Sequence, residues 1–74
     1  MVTDYQEIRF GIVAFEKGFV THEQVIKALE IQVKENLTNG MHRRVGVILF
    51  EQGLMTLMQI DEVAKSLEQQ RFKK

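Results

Sequence analysis

The sequence predicts an all-α fold, a compact four-helix domain built from two repeated helix-turn-helix hairpins. Three observations carry this expectation: an internal repeat, paired glycine stops and paired Thr…Gln helix starts. Arg9 to Thr21 is echoed by Arg44 to Thr56, and the register holds without a gap through Gln24 and Gln59, at a spacing of 35 residues. Identities fall at Arg9/Arg44, Gly11/Gly46, Phe15/Phe50, Glu16/Glu51, Gly18/Gly53, Thr21/Thr56 and Gln24/Gln59. A period of this size marks a duplicated supersecondary unit that must pack on its copy to bury its apolar face. The expected organisation is one domain over residues 1–74, with repeat one at about 4–35 and repeat two at about 41–70. A near two-fold relation between the halves follows from the duplication.

Each helix has its own signals. In the first, Tyr5, Ile8, Ile12 and Phe15 recur at three- and four-residue steps and form one face, and Gly18 ends the helix at about Lys17. Thr21 then opens the second, with Gln24 placed to complete a capping box and with Val20 and Val25 as a hydrophobic staple. Val25, Ala28, Leu29, Gln32 and Val33 continue one face to about Glu35, and Asn36 to Gly40 is the expected break. The third helix places Val45, Ile48, Leu49 and Gln52 on one face before Gly53. The fourth begins with the box of Thr56 and Gln59, has Met55 and Ile60 as its staple, and ends near Gln70. Its buried stripe is Ile60, Val63, Ala64 and Leu67. The stretches from Ile12 to Phe15 and from Val47 to Phe50 are rich enough in β-branched and aromatic residues to pass for strands, but the flanking apolar spacing fits a helix. The expected core is Ile8, Ile12, Phe15, Val25, Leu29, Ile48, Leu49, Ile60, Val63 and Leu67.

Composition narrows the function classes. With 74 residues and no cysteine, the domain has no disulfide framework and no thiolate metal site, and its stability should be marginal. Ten basic and ten acidic side chains balance to zero, whereas duplex nucleic-acid binding is advertised by a basic excess. No apolar run approaches the roughly 18 residues of a membrane span, and the polar, acidic start does not read as a signal peptide. A cytoplasmic protein without membrane insertion is expected. The basic residues cluster at His42, Arg43 and Arg44 and again at Arg71, Lys73 and Lys74; the second group is expected to be a solvated tail. No enzyme is read: Ser66 lacks a His or acid arranged near it, His22 and His42 are isolated, and Asp61 with Glu62 points in two directions from one helix. Neither a catalytic set, nor a metal site, nor a cofactor is expected.

The candidate binding residues stand at the head of each repeat. Neither Arg9 nor Arg44 has an acid three or four positions away, so each either snorkels into water or meets a planar or anionic partner from elsewhere. Gly11 and Gly46 sit inside helices at a cost of about 1 kcal/mol each relative to alanine. Either a crossing helix or a ligand must therefore approach the backbone there. Gln32, on the stripe of the second helix, is either a helix-end residue meeting solvent or a hydrogen-bonding group facing a groove.

The pattern of Arg9, Gly11, Val13, Gly18, Val25, Leu29 and Gln32, with Phe10 in the place of a usual leucine, resembles the motif of MshEN-type domains. Those domains, related to GspE-like N-terminal domains, head type II secretion and type IV pilus assembly ATPases and carry two tandem copies of a 24-residue motif that bind cyclic di-GMP. The second copy matches at Arg44, Gly46, Leu49, Gly53 and Ile60, but has Ala64 where leucine is usual and Leu67 where glutamine is usual. The resemblance implies a non-enzymatic regulatory module tied to bacterial secretion, pilus or motility signalling. Its implied ligand is cyclic di-GMP, held by Arg9, Phe10, Gly11 and Gln32 on one half and by Arg44, Val45 and Gly46 on the other. The alternative is a helical adaptor or docking module with no nucleotide, with Met55, Leu57 and Met58 as its partner surface. A third reading is homo-oligomerisation through Met41, Leu54, Met55, Leu57 and Met58.

Overall fold

The computed structural model describes the backbone of residues 5–40 and 42–72, with side chains to residue 69. Asp4, Met41, Lys73 and Lys74 lie outside the described residues, as do the side chains of Gln70 and Arg71. The four expected helices are present: α1 (Tyr5–Glu16), α2 (His22–Thr38), α3 (Val45–Glu51) and α4 (Leu57–Phe72). Both apolar stretches that could pass for strands are helical.

The two corners are built alike. Gly18 and Gly53 take φ values of 80° and 78°, which a side chain would resist. At the first corner the N–H of Phe19 donates to Ala14 O (3.0 Å) and that of Gly18 to Phe15 O (2.9 Å). At the second, the Leu54 N–H donates to Leu49 O and that of Gly53 to Phe50 O, both at 2.9 Å. These paired bonds form a Schellman motif at each helix end. Both capping boxes then start the long helices. Thr21 N–H donates to Gln24 Oε1 (2.9 Å) while Gln24 N–H donates to Thr21 Oγ1 (3.1 Å), and Thr56 with Gln59 repeats the exchange at 3.0 and 3.1 Å.

The central break comes later than expected. Asn36 does not end α2: its side-chain amide donates to the carbonyl of Gln32 one turn back (2.8 Å), and the Thr38 hydroxyl does the same to Lys34 (2.7 Å). Both residues satisfy helical carbonyls instead of competing with them. The helix therefore runs to Thr38, with Gly40 beyond it at φ 69°.

Packing interlocks the hairpins. α1 lies against α2, α3 and α4, and α3 lies against α2 as well as α4, while among the described residues α2 and α4 do not meet. Each long helix therefore packs on the short helix of both hairpins. The core consists of Val13, Ala14, Val20, Val25, Ala28, Val45, Ile48, Leu49, Met55 and Val63, with Leu29, Ile60 and Leu67 half-buried against it.

This corrects the face expected for α1. Ile8, Ile12 and Phe15 are 37, 46 and 45% exposed, whereas Glu7, Gly11, Val13 and Ala14 are buried. The cause is close approach. A Cβ on Gly11 would lie 2.5 Å from Val25 Cγ1, so α1 turns its small residues toward α2 and its bulky ones outward. Gln52, expected on the buried face of α3, is its exposed C-cap. Met55 is 3% exposed and belongs to the core, not to a partner surface.

Candidate functional site

The inner face of α1 begins with an acid. Glu7 is 8% exposed, and its carboxylate joins three elements. Oε1 accepts from the backbone N–H of Val45 (2.7 Å) and from Gln32 Nε2 (3.0 Å), and Oε2 accepts from Arg44 Nη1 (3.0 Å). Arg44 is the N-cap of α3 and its own side chain caps nothing. Glu7 therefore supplies from α1 the acceptor that the first amide of α3 needs, with its negative charge at the favourable end of the helix dipole. Gln32 closes the arrangement by donating from α2 to the Arg43 carbonyl as well (3.0 Å).

Arg43 forms a second clamp. Its guanidinium donates to both carboxylate oxygens of Glu35, the Nε contact being 3.0 Å, and also pairs with Glu51. Hydrogen bonding from Arg43 is the main cause that holds the Glu35 carboxyl below the ordinary glutamate range, outweighing the opposing effect of burial. The Arg43 guanidinium is raised correspondingly by Glu35. A depressed carboxyl stabilises the fold above its unfolded pKa and loses that contribution as pH falls through its folded value. Acid titration of the melting temperature should therefore show a loss from the ordinary glutamate range downward. Arg43→Gln should flatten that part of the profile, and an unchanged acid limb would mean the clamp contributes nothing.

Above this network, Gln6, Phe10, Arg44, Gly46, Val47, Ile60, Ala64, Leu67 and Glu68 line a groove of about 680 Å³ between α1, α3 and α4, with Glu7 at its base. That is within the range of small-molecule sites. A Cβ on Gly46 would meet the Phe10 ring at 2.8 Å, so the glycine admits the aromatic of the other repeat and the ring forms one wall. Arg44 stands at the rim with its side chain 78% exposed, and Glu7 holds one of its nitrogens. The other N–H groups of the guanidinium fork are thereby oriented without all being consumed.

The structure thus gathers Phe10, Arg44 and Gly46 at one groove and places the remaining candidates elsewhere. Arg9 lies with its guanidinium 5.6 Å from the centre of the Tyr5 ring, beside a separate shallow depression shared with Ile12, Val13 and Glu16. Gly11 is covered by Val25, which decides for a crossing helix over a ligand at that position. Gln32 and Val45 are buried, and both donate to Glu7. Leu57 and Met58 are exposed, 65 and 83% respectively. The half-buried Leu54 packs against the core.

Sequence reasoning missed Glu7. The repeat itself held the signal: Phe10, Gly11, Val13 and Ala14 are the counterparts of Val45, Gly46, Ile48 and Leu49, and the same face extended back one turn reaches Glu7. The duplication also shows where the halves part. Gln32 binds Glu7, whereas its counterpart Leu67 lines the groove.

Among the described residues no helix is long and apolar enough to cross a membrane. Compared with protein-family models, curated proteins and solved structures, the chain matches none of them.

Proposed function

We propose that this chain is a non-enzymatic binding module whose ligand site is the groove of Phe10, Arg44 and Gly46, and that its ligand is a guanine nucleotide of the cyclic di-GMP type. The carrying observation is the convergence of these three residues, drawn from the heads of both repeats, on one groove of ligand size. Its chemistry suits a purine. Phe10, Val47, Ile60 and Leu67 give apolar cover, the Arg44 fork suits either the O6/N7 acceptor edge of guanine or a phosphate, and Glu68 provides an acceptor for guanine donors. This reading agrees with the tandem-motif resemblance, with one difference. The groove offers one set of contacts in place of two equal ones, because Gln32 and Gly11 are engaged within the chain.

Calorimetric titration with cyclic di-GMP tests it. Arg44→Ala should weaken binding by about 1.5 to 3 kcal/mol, the worth of a charged hydrogen-bonding partner. Arg44→Lys should not restore it, since a point charge lacks the planar fork. Arg9→Ala, away from the groove, should bind like the unaltered chain. Equal losses for Arg9→Ala and Arg44→Ala would contradict the single-groove reading.

A second reading, a docking module for a protein partner, is supported by the first turn of α4. Leu57 and Met58 stand there in solvent where the first repeat has His22 and Glu23. Exposed adjacent apolar side chains of this kind serve protein contacts, and methionine adapts to varied surfaces.

A further inference from the structure

The two repeats diverge at the groove. Ile60, Ala64 and Glu68 follow one another at steps of four on α4, with Leu67 beside them, and all four line it. Their counterparts 35 residues earlier are Val25, Leu29, Val33 and Gln32. Those residues close the matching face of α2: Val25 fills the notch at Gly11, Leu29 packs on the core and Gln32 is tied to Glu7. In the second repeat the notch at Gly46 is filled from α1 by Phe10, and α4 leaves its own face open. Ala64 is exposed where Leu29 is half-buried, and Glu68 brings an exposed carboxylate to the place of the half-buried Val33. Among the described residues no cation pairs with Glu68.

We infer, on the reading of the groove as a nucleotide site, that this departure from the repeat builds a base pocket in which Glu68 selects guanine over adenine and Ala64 keeps the space for the base. The order of donors and acceptors carries the assignment. Arg44 presents only donors and the Glu68 carboxylate only acceptors, and both belong to one groove with the Phe10 ring as a wall. Guanine matches both: O6 and N7 accept from an arginine fork, while N1–H and the N2 amine donate together to a carboxylate. Adenine turns an N6 amine and an unprotonated N1 toward the same carboxylate. An acceptor then faces an acceptor, and one contact is lost.

Calorimetric titration of the unaltered chain, Glu68→Gln and Ala64→Leu with cyclic di-GMP and with cyclic di-AMP tests this, the readout being the ratio of the two affinities. Both probes carry the same phosphates, so the loss of a negative charge acts on both and cancels in the ratio. The unaltered chain should favour cyclic di-GMP by about tenfold or more, the worth of a bidentate contact to the right base. Glu68→Gln should reduce that ratio by about tenfold, because a glutamine offers one acceptor and one donor, the complement of adenine N6 and N1. Ala64→Leu restores the side chain of the first repeat and should abolish binding of both probes. Its melting temperature should not fall, since position 64 is exposed and leucine suits a helix. A ratio near one for the unaltered chain, or one that Glu68→Gln leaves unchanged, overturns the inference while the groove remains a nucleotide site. Undiminished binding by Ala64→Leu overturns it as well, by removing the base from α4. Binding of neither probe at millimolar concentration ends the nucleotide reading of the groove and the inference with it.

Discussion

Glu7→Ala should unfold the domain or bring its denaturation midpoint close to zero. The substitution removes one carboxylate and leaves three donors behind it: the Val45 N–H, the Gln32 amide and the Arg44 guanidinium. Each buried donor left without its acceptor costs about 1 to 3 kcal/mol. A single core in a chain of this length supplies a net stability of similar size. The first two donors are buried and cannot turn to water, while the mostly exposed Arg44 can, so the loss should come mainly from the amide and the backbone group. Glu7→Gln keeps the shape and one acceptor oxygen, and its cost should be smaller, about 1 to 3 kcal/mol. Urea denaturation followed by circular dichroism should rank the three proteins in that order. Equal stability of all three would mean that α3 is held by packing alone.

Leu49→Ala should cost about 2 to 5 kcal/mol, the range for a fully buried leucine whose cavity cannot collapse. Phe15→Ala, although it deletes more atoms, should cost about 1 kcal/mol or less, because the ring is nearly half exposed and rests on His22 at the surface. With Leu49 of α3 as the buried reference, thermal melting of the two variants therefore measures whether the Phe15 face of α1 is outside. A larger loss at Phe15 than at Leu49 would return the outer stripe to the core.

That contrast also marks how far the sequence was legible. Glycine stops and Thr…Gln boxes are local chemistry, and both corners and both long-helix starts follow from them with no knowledge of the rest of the chain. The inner face of α1 is not local. The bulkiest residues of α1 make the stronger apolar periodicity on its outer face, yet Val25 needs the notch at Gly11, and tertiary approach overrides side-chain size. The second repeat, whose face was legible from Val45, Ile48 and Leu49, would have corrected the first if its register had been applied to both.

The candidate site was legible in part for a related reason. Arg44 and Gly46 were visible as repeated residues and Phe10 as a departure from the motif, and all three reach the groove. Arg9, Gly11 and Gln32 carry the same repeat logic, but the loss of symmetry at Leu67 leaves only one half open. The anionic partner that Arg44 lacked on its own helix comes from Glu7, 37 residues away on α1, and no spacing within α3 points to it.

The most direct test of the groove is an amide chemical-shift map during titration with cyclic di-GMP. Binding there predicts the largest changes at Phe10, Arg44, Gly46 and Val47 on α1 and α3 and at Ala64 and Leu67 on α4, with Ile12 and Glu16 on the outer face of α1 unmoved. Shifts confined to the outer face of α1, or no movement at millimolar nucleotide, would contradict the assignment of the groove as a nucleotide site.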